Sequence, residues 1–249
     1  MAWTKVQWRK SAQELEGYLQ PLALELGRSE RRVAFSRYVT GLLVPGERKS
    51  ITPMAERLGA DSQILQQFLS DSPWEEELLW RALRQEVVGC LGALEHWIID
   101  ETGWPKQGQE SVGVQHQYCG AVGKQANCQI SVQLMLSDGW MCVPVAGRLY
   151  LPQSWSADPT RRRRAKVPAE VSFATKPQIA LDLIRQAVLE GVPKAPVLAD
   201  AVYGHNEQFR TGLRALGLEY ALHANGGQAT AWTEPPGPGV GPASTLATL

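Results

Sequence analysis

Two short apolar segments that each end in an aspartate constrain this chain more than any other feature. They are residues 96–100, His-Trp-Ile-Ile-Asp, and residues 196–200, Pro-Val-Leu-Ala-Asp. A buried strand of this kind holds its terminal carboxylate rigidly at a sheet edge, and carboxylate oxygens are the ligands that Mg²⁺ prefers. The pair therefore predicts a shared metal site. The alternative is that each aspartate only opens a turn, by accepting hydrogen bonds from nearby backbone amides.

The residues around the two aspartates form an ordered set. Asp100 is followed by Glu-Thr-Gly-Trp-Pro-Lys, and Asp200 by Ala-Val-Tyr-Gly-His-Asn-Glu. Between them stand Ser-Val-Gly-Val-Gln-His-Gln-Tyr-Cys-Gly at 111–120 and Asn-Cys-Gln at 127–129. This set, which covers nearly the whole chain, resembles the insertion-sequence transposases of the Asp-Asp-Glu (DDE) superfamily. The resemblance implies a ribonuclease-H-like domain that cuts and joins DNA with Mg²⁺ or Mn²⁺, in which Asp100 and Asp200 are the first two catalytic, metal-binding acids.

Composition limits the partners and the compartment. The 25 basic residues equal the 25 acidic ones, so a DNA-binding protein of this composition needs local clusters of Lys and Arg. The four cysteines lack Cys-x2-Cys spacing, which disfavours a zinc site and favours reduced thiols. The amino terminus has no apolar signal core, and no run approaches the roughly 20 apolar residues of a membrane helix. We therefore expect no membrane partner and a cytoplasmic location.

Residues 1–92 are predicted to be a helical DNA-binding region. Leucines recur at helical spacing over 15–26, and Gly41, Pro45 and Gly46 are predicted to break the helical pattern. Residues 51–69 carry two apolar faces separated by Gly59, the pattern of a helix-turn-helix. The alternative is an ordinary three-helix bundle with solvated glutamines. If the motif is correct, base edges are contacted by the amides of the second helix and phosphates by the preceding basic pair, namely Gln63, Gln66, Gln67, Arg48 and Lys49.

From Trp97 the pattern changes to a mixed α/β fold. Alternation over 128–136, followed by Asp138-Gly139, predicts a hairpin with a returning strand to residue 149. A helix over 176–190, the strand that ends at Asp200, a helix over 206–216 and a strand over 220–223 follow. We expect residues 93–227 to form a ribonuclease-H-like mixed sheet with flanking helices, in which the strands bearing Asp100 and Asp200 lie side by side. Residues 228–249, rich in Pro and Gly, are predicted to be a disordered tail.

A third acid is not evident. The resemblance requires a glutamate on a later helix, but Glu234 is followed by proline in the Pro/Gly-rich segment. Glu101 should point away from Asp100, because neighbouring residues of a strand face opposite sides. Glu207 opens a helix, where an acid is favoured by the helix dipole. We therefore expect a truncated catalytic region of reduced or no activity.

A basic segment between hairpin and helix is the densest positive charge in the chain. Arginine binds phosphate with two parallel hydrogen bonds, and an exposed tryptophan stacks on a base. The alternative is a solvated basic loop. The predicted DNA contacts here are Trp155, Arg161, Arg162, Arg163, Arg164 and Lys166.

These observations together predict a DNA transposase that cleaves strands at insertion-sequence ends and joins them to target DNA. Its partner would be double-stranded DNA, both transposon ends and target, and the protein would be a homo-oligomer when bound to it. Two alternatives remain open: a non-catalytic DNA-binding regulator of transposition, and an unrelated metal-dependent phosphoesterase with the same fold.

Overall fold

The chain forms two compact units, residues 1–85 and 86–249. The structure, a computed structural model, describes residues 5–223 and 229–232. The division falls inside the fifth helix. Among the described residues, no helix is long and apolar enough to cross a membrane.

The first unit is helical, as predicted. Its core contains Leu26, Ala34 and Phe68, and the indole of Trp74 stacks on the Phe68 ring with centroids 5.6 Å apart. The five helices are α1 (Lys5–Leu24), α2 (Ser29–Leu43), α3 (Ile51–Leu58), α4 (Ser62–Ser70) and α5 (Glu76–Cys90).

Gly41 does not break a helix; the prediction that it does was wrong. It is a buried residue inside α2, which continues to Leu43. A Cβ at this position would lie 3.2 Å from Met54 Cβ and 3.3 Å from Leu58 Cδ1. The glycine is therefore explained by the close approach of α3, which outweighs its cost to helix propensity.

Helices α3 and α4 are joined by a short turn. Gly59 has a left-handed backbone with φ +59°, and Asp61 caps α4 by accepting the Gln63 amide at 2.8 Å. Leu65 and Phe68 of α4 are buried, whereas its glutamines are exposed. Two short helices thus pack through apolar faces and leave the amide side chains of α4 accessible.

The second unit is a mixed sheet with flanking helices, as predicted. The strands are β1 (His96–Pro105), β2 (Gln115–Cys119), β3 (Lys124–Ser137), β4 (Cys142–Leu149), β5 (Val197–Ala199), β6 (Tyr220–His223) and β7 (Ala229–Trp232). Strand β3 lies antiparallel beside β1, which runs parallel to β5; β5 runs parallel to β6, and β6 pairs antiparallel with β7. The spatial order is β2-β3-β1-β5-β6-β7, with β4 also paired to β3.

One face of this sheet is covered by the longest helix of the unit. That helix, α8, begins with a capping box in which Thr175 and Gln178 satisfy each other's backbone amides. Its buried residues include Ile179 and Ile184, and the buried residues Trp97 and Ile99 of β1 belong to the same apolar layer. The helices are α6 (Gln153–Ser156), α7 (Pro159–Arg164), α8 (Lys176–Leu189), α9 (Ala201–Gly204) and α10 (Glu207–Ala215).

The arginine run, for which a solvated loop was the alternative, forms the short helix α7, which Asp158 caps by accepting the Arg161 amide. One local prediction needs correction. The predicted disordered tail contains a strand, because residues 229–232 pair with β6. Thr and Trp, which occur in this segment, favour strands. The rest of that tail, with Glu234, lies outside the described residues.

Candidate active site

Asp100 and Asp200 lie at corresponding positions of two neighbouring strands. Strands β1 and β5 are parallel, and Ile99 pairs with Ala199, so each aspartate follows a paired residue. Adjacent strands are roughly 5 Å apart, which brings the two acids together. Both side chains are exposed and open on one cleft of about 440 Å³. The cleft is lined by Ile98, Ile99, Asp100, Leu198, Ala199, Asp200, Ala221, Leu222 and His223.

Each aspartate is oriented by a single local hydrogen bond. Asp100 Oδ1 accepts the Glu101 amide at 2.7 Å, and Asp200 Oδ1 accepts the Val202 amide at 2.9 Å, which caps α9. The turn-opening role considered for Asp200 therefore coexists with its place in the cleft. For the second oxygen of each carboxylate, the described part of the chain provides no hydrogen-bond donor. Two fixed, accessible oxygens on neighbouring strands suit a divalent cation, which prefers carboxylate oxygen and retains water.

The glycines that follow the two acids permit close packing behind them. A Cβ on Gly103 would lie 2.6 Å from Cys119 Sγ, and a Cβ on Gly204 would overlap the carbonyl oxygen of His223. Gly103 thus lets β1 lie against the buried Cys119, and Gly204 lets α9 lie against β6. Close packing therefore explains why a glycine follows each acid within a few residues.

Glu101 faces the opposite side of the sheet from Asp100, as strand alternation predicts. Its carboxylate forms an ion pair with Lys176 at 2.5 Å and accepts a hydrogen bond from the Tyr203 hydroxyl at 3.2 Å. Burial and the Glu101 carboxylate raise the pKa of Tyr203 far above its ordinary value, so the hydroxyl stays protonated and donates. Glu101 is therefore occupied behind the cleft.

His223 is a cleft residue that the sequence did not indicate. Leu222 of β6 pairs with Ala199 of β5, so His223 stands beside Asp200 at the next strand end. It is exposed and lines the cleft with both acids. A single histidine at the end of a short strand has no distinguishing spacing, which is why sequence reasoning missed it. Within residues 5–223, no three His, Cys, Asp or Glu side chains are grouped closely enough to hold a metal ion.

Trp155 belongs to the packed interior, and the half-buried Arg161 lies against its ring. Trp155 is fully buried, and its indole nitrogen donates to the Val114 carbonyl at 2.8 Å. The Arg161 guanidinium lies 3.7 Å from the centre of the Trp155 ring and donates to the Gln109 carbonyl at 2.9 Å. The expectation that Trp155 stacks on a base is therefore corrected: its ring has no accessible face, because it closes the core around Val114 and Leu151.

The other basic residues of this segment differ in availability. Arg162 donates to the carbonyls of Pro168 and Val171, and Arg164 pairs with Glu110 at 2.6 Å. Arg163 and Lys166 are exposed, and the described residues offer their side chains no partner. Arg163 and Lys166 are the basic groups of this segment most accessible to a phosphate.

The predicted DNA contacts of the first unit are on the surface. All three glutamines of α4 are exposed, although Gln66 donates to Ser70 Oγ at 2.7 Å. Arg48 and Lys49 are exposed in the segment before α3, where the Lys49 ammonium also bonds the Val44 carbonyl.

Two neighbouring acids on a mixed sheet are the geometry of this site, and comparison with known proteins identifies the family. Residues 21–244 match the family described as DDE superfamily endonuclease, and the chain belongs to that family. It is also 33% identical over 193 residues to the "Probable transposase for insertion sequence element IS701" of Microchaete diplosiphon. That match covers 76% of this chain and 48% of the relative, so the chain spans about half the relative's length. The predicted resemblance to DDE transposases is confirmed.

Proposed function

We propose that this chain carries the first two metal-binding acids of an insertion-sequence transposase, which cleaves DNA strands at element ends and transfers them to target DNA. The observation that supports the proposal is the placement of Asp100 and Asp200 on adjacent parallel strands, opening on one cleft, in a DDE superfamily endonuclease. Double-stranded DNA would be the partner, and a homo-oligomer would form on it.

The two carboxylates would hold Mg²⁺ or Mn²⁺ against a DNA phosphate. When bound, such ions activate the attacking oxygen and stabilise the leaving oxygen of the phosphoryl transfer. The chain's own contribution is orientation: a backbone amide fixes one oxygen of each aspartate, and both residues line the cleft. Glu207, the first residue of α10, is exposed and begins a helix, which agrees with a dipole role rather than a ligand role.

Strand nicking tests the proposed function. In Mn²⁺ the chain should convert a supercoiled plasmid that contains a transposon end to the open-circular form slowly, at the reduced activity expected of a catalytic region with two identified acids. Asp200→Asn should abolish that conversion. Asparagine caps a helix as well as aspartate does, so α9 stays capped in the variant. Nicking that persists in Asp200→Asn would exclude Asp200 from the chemistry. If the parent chain bound the end without nicking it in either metal, the non-catalytic regulator would be favoured.

DNA binding is proposed to use both units. The exposed glutamines of α4 would contact base edges, with Arg48 and Lys49 on the adjacent phosphates. In the second unit the proposed phosphate contacts are Arg163 and Lys166, because their side chains are exposed and have no partner in the described part of the chain. Arg161, Arg162 and Arg164 would act indirectly, by holding the shape of the segment.

The salt dependence of DNA affinity tests the proposed phosphate contacts of Arg163 and Lys166. The double variant Arg163→Ala/Lys166→Ala should weaken binding to every duplex and reduce the slope of log affinity against log salt by about 2, because each lost phosphate contact contributes roughly 0.9. Fluorescence anisotropy at several salt concentrations measures both quantities. Arg185→Ala is the control, since Arg185 is an exposed base on α8 that is paired with Asp182. Equal slopes in the parent and the double variant would exclude these phosphate contacts.

A further inference from the structure

A half-buried polar cluster lies directly behind the two aspartates. It consists of Glu101, Lys176 and Tyr203, here termed the Glu101 cluster. The Lys176 ammonium contacts Glu101 Oε2 at 2.5 Å, and the Tyr203 hydroxyl donates to Glu101 Oε1 at 3.2 Å. The Glu101 and Lys176 side chains are 19% and 26% exposed, and Tyr203 is fully buried. Both oxygens of Glu101 are therefore occupied by groups of this chain.

The cluster connects β1, which carries Asp100, to the segment after β5, which carries Asp200. Glu101 follows Asp100 in β1, and Tyr203 belongs to α9, which begins at its cap Asp200. Lys176 is the first residue of α8, so the third anchor is the helix that covers the sheet. A hydrogen bond between Glu101 and Tyr203 thus fixes the segment bearing Asp200 relative to the segment bearing Asp100. The three residue pairs between β1 and β5 end one residue before the acids. The hydrogen bond between Glu101 and Tyr203 therefore joins the two segments just beyond the last of these pairs.

Charge gives the cluster a second effect. Asp100, Glu101 and Asp200 would place three carboxylates on neighbouring segments, where like charges repel. The Lys176 ammonium compensates Glu101, so the two cleft acids carry the remaining negative charge. Lys176 also lies 5.7 Å from the centre of the Tyr150 ring, which supports its position behind the sheet.

We propose that the Glu101 cluster holds Asp100 and Asp200 at the spacing a divalent cation requires, with Glu101 as a positioning residue. This inference rests on the proposed function, because it assigns the two aspartates to a metal. Groups that orient metal ligands without touching the metal typically change its affinity 10- to 100-fold. Loss of the cluster should therefore weaken metal binding while the fold persists.

Removal of one hydroxyl tests the inference. Tyr203→Phe keeps the ring, which packs against Phe209 at a centroid distance of 5.6 Å, and deletes only the donor to Glu101. We expect the Mn²⁺ affinity of the full chain to fall about tenfold, measured by electron paramagnetic resonance titration. Tyr220→Phe is the matched control: Tyr220 is a buried tyrosine of β6 whose hydroxyl accepts from Arg214 at 2.8 Å. Its Mn²⁺ affinity should equal that of the parent.

A second variant distinguishes positioning from coordination. Glu101→Gln retains an oxygen for Tyr203 but loses the charge that faces Lys176, so a partial loss of Mn²⁺ affinity is expected. If Glu101→Gln abolished binding as completely as Asp100→Asn while Tyr203→Phe had no effect, Glu101 would be a ligand and the positioning role would be wrong.

Hydrogen exchange keeps the two proposals separable. In Tyr203→Phe, backbone amides of both segments 97–104 and 198–205 should exchange faster than in the parent. If Asp100→Asn abolishes Mn²⁺ binding but Tyr203→Phe binds as the parent does, the cluster inference fails and the proposed function stands. If Asp100→Asn leaves Mn²⁺ binding unchanged, the proposed function fails. In that case, unchanged amide hydrogen exchange in Tyr203→Phe would also show that the Glu101 cluster does not position the two segments.

Discussion

Asp100→Asn is expected to abolish Mn²⁺ binding at the cleft and to leave the chain folded. Asparagine has nearly the shape of aspartate and keeps an oxygen for the Glu101 amide, so the local hydrogen bond at 2.7 Å persists. It lacks the negative charge on which a hard cation depends. Because Asp100 is exposed, the free energy of unfolding should change by no more than about 0.5 kcal/mol. Mn²⁺ titration and urea denaturation measure the two quantities.

Asp182→Asn is the control for this prediction. Asp182 is an exposed acid of α8 that pairs with Arg148 at 2.8 Å, away from the cleft residues, and its loss should leave Mn²⁺ affinity unchanged. Asp200→Asn should resemble Asp100→Asn, because both acids line the same cleft. Unchanged affinity in Asp100→Asn would remove that residue from the metal site. Loss of metal binding with unchanged DNA binding in both acid variants would show that the two activities use different groups.

The acid-bearing strands were predictable because their signal is local. Residues 96–100 and 196–200 are short, largely apolar and followed or ended by a carboxylate, although β1 does not end at Asp100 but continues to Pro105 in its pairing with β3. The adjacency of β1 and β5 was implied by the resemblance to the ribonuclease-H-like fold. The helix α8 was also predictable, since Pro177 in its first turn and the apolar residues Ile179 and Ile184 are encoded within one segment. Glu101 faces away from Asp100 for the equally local reason of strand alternation.

The features that sequence reasoning missed depend on contacts between distant residues. Gly41 has the sequence character of a helix breaker, and its reason for being glycine is the contact with α3, which lies elsewhere in the chain. His223 becomes a cleft residue only when β6 lies beside β5. The basic segment was misjudged because Trp155 stands among polar residues, and its burial comes from Val114, 41 positions earlier. No periodicity within residues 151–166 indicates that contact.

Trp155→Ala is expected to destabilise the second unit by about 3–5 kcal/mol, the usual cost of deleting a buried aromatic side chain. Three contributions are lost together: a fully buried indole, its hydrogen bond to the Val114 carbonyl, and the stacked Arg161 guanidinium. Urea denaturation followed by circular dichroism measures the change, and hydrogen exchange over residues 112–116 localises it. Trp155→Phe should recover part of the stability, because a ring again fills the site.

Trp140→Ala is the matched control, and the pair of tryptophans decides between packing and DNA stacking. Trp140 is 95% exposed after the Asp138-Gly139 turn, so its loss should change the free energy of unfolding by no more than about 0.5 kcal/mol.

If Trp155 acts by packing, Trp155→Phe should bind DNA as tightly as the parent at a temperature where both are folded. Trp155→Ala would instead keep its stability and lose DNA affinity only if, in the parent protein, the Trp155 ring left the core to stack on a base. That result would restore the sequence-based assignment of Trp155 as a DNA contact. The structure argues against that outcome, because removal of the ring from this core would also break the indole hydrogen bond to the Val114 carbonyl and the contact of the ring with the Arg161 guanidinium.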